Sequence, residues 1–280
     1  MVGIWTLNPS ILVRIQAPQL RIFKTMKIIS LNTWGGLAGR DILLTFFKKY
    51  KNDVDIFCLQ EIWSAPYKQL DGKVVGGRNL EHDKIMIDGL REISSVLDNH
   101  IPYFRPHFDV HYGLLMFIKK DIKILDEGEL FVYREKGYIP EGDVGHHARN
   151  IQYVTVEIKN GLKTIINFHG LWNGKGKTDT EDRLLQSDNI IKFLKKLSNS
   201  FVLCGDFNLL PETESLKKFE NFGLRNLIKE NKITSTRTSL YKKEHRFADY
   251  AFVSRNIEVN SFKILPDEVS DHNPMFLDIK

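Results

Sequence analysis

Only two cysteines, Cys58 and Cys204, occur in 280 residues, which excludes a disulfide framework as the source of stability. Each sits in an apolar run, Ile56-Phe57-Cys58-Leu59 and Phe201-Val202-Leu203-Cys204, where a thiol acts as a small hydrophobe. Thiols so few and so placed do not suggest zinc, and they point to a reducing, cytoplasmic setting. No window approaches the ~18 uninterrupted apolar residues that cross a membrane. No internal repeat, low-complexity tract or Gly/Ser/Pro linker divides the chain. Nor does one sign of charge dominate: 40 Lys and Arg against 35 Asp and Glu leave +5. That mild basicity, with a pI near 9.0, suits an anionic partner without requiring one.

What is present is an ordinary globular composition, 42% hydrophobic and 27% charged, on a length that supports one large core. Residues 1–25 carry Arg14 and Arg21 within apolar stretches, unlike a secretory signal with its basic start and clean apolar block. Met26-Lys27-Ile28-Ile29 reads as the start of a strand. A tail over 1–25 and a single domain over 26–280 are therefore expected.

Short β-branched or aromatic runs predict strands at 27–32, 55–61, 112–119, 151–158, 164–169, 201–206, 250–254 and 275–279. Several are continuous rather than alternating, as in sheets covered on both faces. A helix is predicted over 181–197, with Thr178 and Glu181 spaced as a capping box. Shorter helices are predicted over 41–49, 88–97 and 213–219. Irregular stretches at 64–77, 133–149 and 229–245 are long enough to be functional or mobile. The result is one α/β domain with elaborated loops.

One pattern recurs: apolar strands end in a carboxylate, amide or imidazole. Ile28-Ile29-Ser30-Leu31 ends in Asn32, Ile56-Phe57-Cys58-Leu59-Gln60 in Glu61, and Ile165-Ile166-Asn167-Phe168 in His169. Phe201-Val202-Leu203-Cys204-Gly205 ends in Asp206, with Asn208 two residues on. Asp249 precedes Tyr250-Ala251-Phe252-Val253, and Asp271-His272 precedes Met275-Phe276-Leu277. Side chains at strand ends of α/β sheets converge on one crevice. Singly, each is as well explained as a turn former or helix cap. Glu61 is harder to explain that way, because a carboxylate beside an apolar run is costly unless paired or bound to a cation.

Together these segments carry a resemblance. Leu31-Asn32-Thr33-Trp34, Leu59-Gln60-Glu61, Phe168-His169, Gly205-Asp206-Phe207-Asn208, Ala248-Asp249-Tyr250 and Ser270-Asp271-His272 occur in the order seen in the endonuclease/exonuclease/phosphatase superfamily. The resemblance implies a four-layer α/β sandwich, two mixed β-sheets face to face with helices outside, and phosphoester hydrolysis dependent on Mg²⁺ or Mn²⁺. By that likeness Glu61 is the principal metal ligand, with Asn32 and Asp271 completing the shell through water. Asp206 activates the attacking water and Asn208 holds it. His272 binds the phosphate and, as imidazolium, stabilises developing charge, while Asp249 orients it. His169 stands where a general acid for the leaving oxygen is expected.

Gly170 to Lys177 follows directly, and Asn173, Lys175 and Lys177 read equally as phosphate ligands or as a flexible loop. Arg183, at the start of the next helix, resembles an arginine tied to the site in the family. The pair His146-His147 is expected to face solvent.

The pI and the stretch Arg237, Lys242, Lys243, Arg246 favour nucleic acid as substrate, hence an endonuclease or exonuclease. A sphingomyelinase-like phospholipase or a phosphoinositide phosphatase is the alternative; Trp63, Tyr67 and Trp172 suit bases or lipid. An inactive binding protein is least compatible with the intact acidic and imidazole set. Nothing in the sequence implies a stable protein partner.

Overall fold

Strands that read as unbroken apolar runs need cover on both faces, and the fold supplies it. The computed structural model describes residues 24–66, 68–75 and 77–280; the expected tail over 1–25 lies almost wholly outside them, as does Tyr67. The described residues hold fourteen strands: β1 (Met26–Asn32), β2 (Ile56–Trp63), β3 (Val74–Val75), β4 (Arg78–Asn79), β5 (His100–Phe108), β6 (Tyr112–Lys119), β7 (Ile124–Tyr133), β8 (Arg149–Ile158), β9 (Gly161–His169), β10 (Ser200–Asp206), β11 (Arg225–Asn226), β12 (Asp249–Val253), β13 (Val259–Ile264) and β14 (Met275–Ile279). The helices are α1 (Arg40–Tyr50), α2 (Gly89–Val96), α3 (Glu181–Leu194), α4 (Glu214–Asn221) and α5 (Leu227–Glu230).

Two mixed six-stranded sheets form the sandwich, in the orders β13-β14-β1-β2-β6-β5 and β11-β12-β10-β9-β8-β7. The period of two assigns each strand's residues to different layers. In β1 and β2, Met26, Ile28, Ile56 and Cys58 join the core between the sheets. Their neighbours Ile29, Leu31, Phe57 and Leu59 pack with Phe46 and Phe47 of α1 and Ile93 of α2. On the other side Ile190 and Leu194 of α3 and Phe219 of α4 cover the second sheet. Each such burial contributes about 1.5–3 kcal/mol, so both faces hold the register.

Each sheet has one parallel pair, β1 with β2 and β9 with β10. A parallel pair needs a crossover, made by α1 in the first sheet and α3 in the second. Both crossovers bring carboxyl ends of strands together: Asn32 lies beside Gln60 in register, and Asp206 beside both His169 and Asp249. Below them a buried amide pair ties the sheets. Gln60 Nε2 donates to Asn167 Oδ1 at 2.6 Å, and Asn167 Nδ2 to the Leu59 carbonyl at 3.0 Å.

Three differences from the sequence reading have local causes. β5, β7 and β13 were not anticipated; all three are sheet edges, where Pro102, Pro106 and charged residues are tolerated because no outer ladder is broken. The cap of α3 is Thr180, whose Oγ1 accepts from Arg183 N, rather than Thr178. And α3 ends at Leu194, three residues short of the expected terminus.

Candidate active site

Glu61 is aimed by a distortion of its strand. The β2–β6 register slips between Leu59 and Ile62, and Glu61 takes φ +60° there, a bulge that turns its side chain to the sheet end at a cost of about 1–3 kcal/mol. Its side chain keeps 25% exposure, against 4% for His169 and 2% for Asp206. Asn208 also has positive φ, +55°, which asparagine tolerates better than most residues. Glu61, His169, Asp206, Asn208, Asp271 and His272 all line one cleft of about 360 Å³.

Asn32 and Asp249 stand immediately behind that lining. Asn32 Nδ2 bridges two carboxylates, donating to Glu61 Oε1 at 3.0 Å and Asp206 Oδ2 at 2.9 Å. Its Oδ1 accepts from Trp34 N at 2.9 Å, so Asn32 presents an N–H, not the oxygen expected of a metal ligand. Asp206 Oδ1 accepts from Asn208 N at 2.8 Å. His169 Nε2 lies 3.8 Å from Glu61 Oε1 and 3.9 Å from Asp206 Oδ2, and ligand atoms of these three residues fall within 4.8 Å of one another.

His272 Nδ1 is 2.8 Å from both oxygens of Asp249. The carboxylate therefore fixes the proton on Nδ1 and leaves Nε2 facing Asp206 Oδ2 and Asp271 Oδ1, each at 3.6 Å. Burial, then the charge of Arg237, pushes His272 down to about 3. Asp271 Oδ2 accepts from Arg237 at 2.9 Å, whereas its buried Oδ1 has no hydrogen-bond partner. Glu61 is pushed up to about 7 by burial, partly relieved by Asn32 and reinforced by Asp271 and Asp206.

The remaining sequence-predicted residues lie elsewhere. Arg183 is fully buried and donates to the carbonyls of Leu171, Thr178 and Gly176; it pins the β9–α3 loop from inside and does not line the cleft. Asn173 also lies off the cleft, bonded to Thr180 Oγ1 at 3.1 Å and to Lys175 N at 3.2 Å. Lys177, by contrast, lines it, with Nζ on the Phe247 carbonyl at 2.7 Å. Burial, then Arg237, pushes that ammonium down to about 8. Arg237 stacks on Tyr241 at 4.3 Å.

His147, expected at the surface, is buried. It stacks on His107 at 4.7 Å, and His107 lies 5.6 Å from His169. Arg149, which the sequence reading passed over, reaches into this cluster and lines the cleft. Burial, then Arg149, pushes His107, His147 and His169 well below the ordinary value of 6.5, and burial, with the charge of Lys119 adding to it, carries His100 down to about 4.

These imidazoles are neutral in the fold but protonate near 6.5 when unfolded, so their contribution is full above that pH and lost as pH falls. Glu61 and Asp249, both pushed up to about 7, act oppositely: their contribution is full at acid pH and lost as pH rises towards 7. Asp55 is also pushed up by burial, but the five imidazoles, His272 included, outnumber the three carboxylates. Metal-free protein should therefore be less stable at pH 5 than at pH 7, read from urea midpoints. A midpoint that rises on acidification would contradict this balance.

The sequence matches the Endonuclease/Exonuclease/phosphatase family over residues 29–272. Among curated proteins, none matches the chain. Solved structures share the fold at low identity. An endonuclease/exonuclease/phosphatase family protein from Bacteroides thetaiotaomicron is 17% identical with a TM-score of 0.69, over 91% of this chain and 97% of that one. A mannosyl-6-phosphatase of the same organism is 16% identical with a TM-score of 0.66, over 91% and 99%. The catalytic domain of human Nocturnin, with bound sulfate, is 18% identical with a TM-score of 0.61, over 92% and 95%.

Proposed function

This chain belongs to the endonuclease/exonuclease/phosphatase family of hydrolases, and from that premise we propose that it is a divalent-metal-dependent phosphodiesterase acting on nucleic acid. The observation that carries this reading is one cleft holding the Asp206–Asn208 pair, the Asp249-oriented His272 and Glu61. The nucleic-acid choice draws on the cations and aromatic rings of the same walls, Arg237 over Tyr241 and Lys243 over Trp172. Two buried free thiols suit a reducing, cytoplasmic setting. Among the described residues no helix is long and apolar enough to cross a membrane.

The residues fit a hard cation. Asp271 Oδ1 is a buried oxygen without a hydrogen-bond partner, and the ionised form of Glu61 is opposed by burial and by Asp271 and Asp206. Glu61 and Asp271 would hold Mg²⁺ or Mn²⁺, with Asn32 orienting Glu61 from behind. When bound, the ion supplies positive charge to the phosphoryl oxygens.

Asp206, an acceptor fixed from two sides, takes the proton of the attacking water. Asn208 holds the water or a phosphoryl oxygen, and His272 Nε2 faces the same space. Asp249 keeps the His272 ring in one tautomer. His169, between Glu61 and Asp206, serves the leaving oxygen.

EDTA should abolish turnover, and Mg²⁺ or Mn²⁺ should restore it. Because Glu61 takes up a proton near pH 7 when no cation is bound, apparent metal affinity should weaken as pH falls through that value. The panel is plasmid DNA, RNA, bis-p-nitrophenyl phosphate, sphingomyelin and a phosphoinositide, each at two salt concentrations. EDTA-resistant turnover would remove the metal from the reading. A salt-insensitive preference for sphingomyelin would replace nucleic acid with lipid.

A further inference from the structure

His107 is the extra residue of a bulge. The register of β5 against β6 slips between Pro106 and Phe108, as that of β2 slips at Glu61, and a bulge re-aims the side chain it carries. Gly113 on β6 permits the close approach: a Cβ there would lie 2.5 Å from the Arg105 carbonyl oxygen and 2.9 Å from His107 N. His107 is thereby buried, with its ring stacked on His147 at 4.7 Å and 5.6 Å from the ring of His169.

A chain of hydrogen bonds fixes the proton on this ring. Lys136 donates to Glu129 at 2.9 Å, and Glu129 Oε2 accepts from Asn150 Nδ2 at 2.7 Å. The amide nitrogen of Asn150 is thus turned to the carboxylate, which leaves Oδ1 to face His107 Nδ1 at 3.1 Å. An amide oxygen only accepts, so His107 carries its proton on Nδ1 and a lone pair on Nε2. That Nε2 is buried without a hydrogen-bond partner.

His169 has the complementary gap. Its Nδ1 is also buried without a hydrogen-bond partner, while its Nε2 stands 3.8 Å from Glu61 Oε1 and 3.9 Å from Asp206 Oδ2, beyond hydrogen-bond length. Stacked His147 is no donor to His107, since its Nδ1 is on the Ala148 carbonyl and its Nε2 accepts from Arg149. Hydrogen bonds of catalytic groups are often long or misaligned before substrate binds and tighten afterwards.

We propose that His107 is a positioning residue for His169: its Nε2 accepts the Nδ1 proton of His169 and holds that imidazole as the Nδ1–H tautomer, with the Nε2 lone pair turned to Glu61 and Asp206. His272 is then oriented by a carboxylate and His169 by a neutral ring, so the two histidines of the cleft are tuned differently. His169 exchanges protons with the cleft through Nε2 alone, and a proton it gives to the leaving oxygen must first be taken up there. The tautomer follows from the fold; its use at the leaving oxygen rests on the phosphoester-hydrolase reading above.

The test uses the full chain, metal-free and labelled with ¹⁵N-histidine. Long-range ¹H–¹⁵N spectra at alkaline pH distinguish a protonated from a bare ring nitrogen, and His169→Gln identifies the signals of His169. The wild type should show His169 protonated on Nδ1. His107→Phe keeps the ring stack but removes the acceptor, so the two carboxylates should draw the proton to Nε2. Tyr112→Phe, edge-on to His107 at 5.3 Å, should leave the His169 signals in place. On bis-p-nitrophenyl phosphate H107F should lose about 10- to 100-fold in kcat with KM within about threefold. His107→Gln, whose amide offers one donor and one acceptor as the ring does, should recover most of that loss.

A wild-type His169 protonated on Nε2 would overturn the pairing, and decides it even if H107F does not fold. An Nδ1 proton that persists in H107F would belong to another acceptor, such as the unpartnered Gln60 Oε1. Equal losses in H107F and H107Q would show that His107 only fills space. If the wild type cleaves no phosphoester, the hydrolase reading fails, while the spectra still decide the histidine pair.

Discussion

Asp206→Asn should cut kcat by about 100- to 10,000-fold at saturating metal, with KM little changed. Asp206 Oδ1 accepts from Asn208 N and Oδ2 from Asn32 Nδ2, so both oxygens face donors and the carboxylate is held ready to accept a proton. An amide has the same shape but only one acceptor. Its NH₂ must face either Asn208 N–H or Asn32 NH₂, and it cannot take a proton from water. The donor–donor clash should cost a further 1–3 kcal/mol or so of stability, which circular dichroism and urea unfolding separate from the loss in rate. A variant that retains turnover within tenfold of wild type would remove Asp206 from the role of base.

The opposite sign is expected of contacts outside the cleft. Asn173→Ala removes hydrogen bonds to Thr180 and Lys175 and touches none of the groups that line the site, so it should change loop order more than rate. Asn173, which the sequence offers equally as a phosphate ligand or a loop residue, and Arg183, which the resemblance ties to the site, both lie off the lining of the cleft. Arg183 is the more instructive. Its position after the Thr180 cap is legible, but three carbonyls converging from a loop that wraps around it are not, because no local pattern encodes them.

Much of the rest was legible for a physical reason. Strands sandwiched between sheet and helix are apolar on both faces, so the first polar residue at their end stands out, and the parallel crossovers then gather those ends. Asn32, Glu61, His169 and Asp206 stand out in the sequence that way. The edge strands escaped because exposure on one side and along one ladder removes the apolar signal. Arg149 is less legible: it stands two residues ahead of the run that begins at Ile151, after a polar loop, and not at the end of an apolar run. β8 is antiparallel to β9, with Ile151 opposite Phe168, so the start of one lies beside the end of the other. A cation two residues before Ile151 is the same signal as Glu61 after Leu59, read from the other direction. Orientation of the Asn32 amide, by contrast, depends on Trp34 N, which only the folded turn brings within reach.

Gly205→Ala should destabilise the fold by about 3–5 kcal/mol, at the far end of what one substitution does. Gly205 sits beside Phe168 in the parallel β9–β10 pair with φ +146°, in the region that favours glycine. A Cβ there would lie 1.9 Å from the Phe168 carbonyl oxygen and 2.9 Å from its carbon. The backbone cannot move aside cheaply, because Phe168 is wedged edge-on against Phe207 at 5.0 Å. Gly170 makes the reciprocal approach, its would-be Cβ 2.3 Å from the Phe207 carbonyl oxygen. The two glycines let the ends of β9 and β10 close on each other, and this closeness sets His169 and Asp206 side by side. Gly72→Ala is the control: φ is again positive, +73°, but no atom lies within 4 Å, so only the backbone preference is lost, about 1 kcal/mol. Urea unfolding of both variants reads the difference. Gly205→Ala should also depress turnover per folded molecule, since any relief of the clash displaces Asp206, whereas Gly72→Ala should leave it unchanged. A Gly205→Ala midpoint no lower than that of Gly72→Ala would show that this approach of the two strands is not what holds the site together.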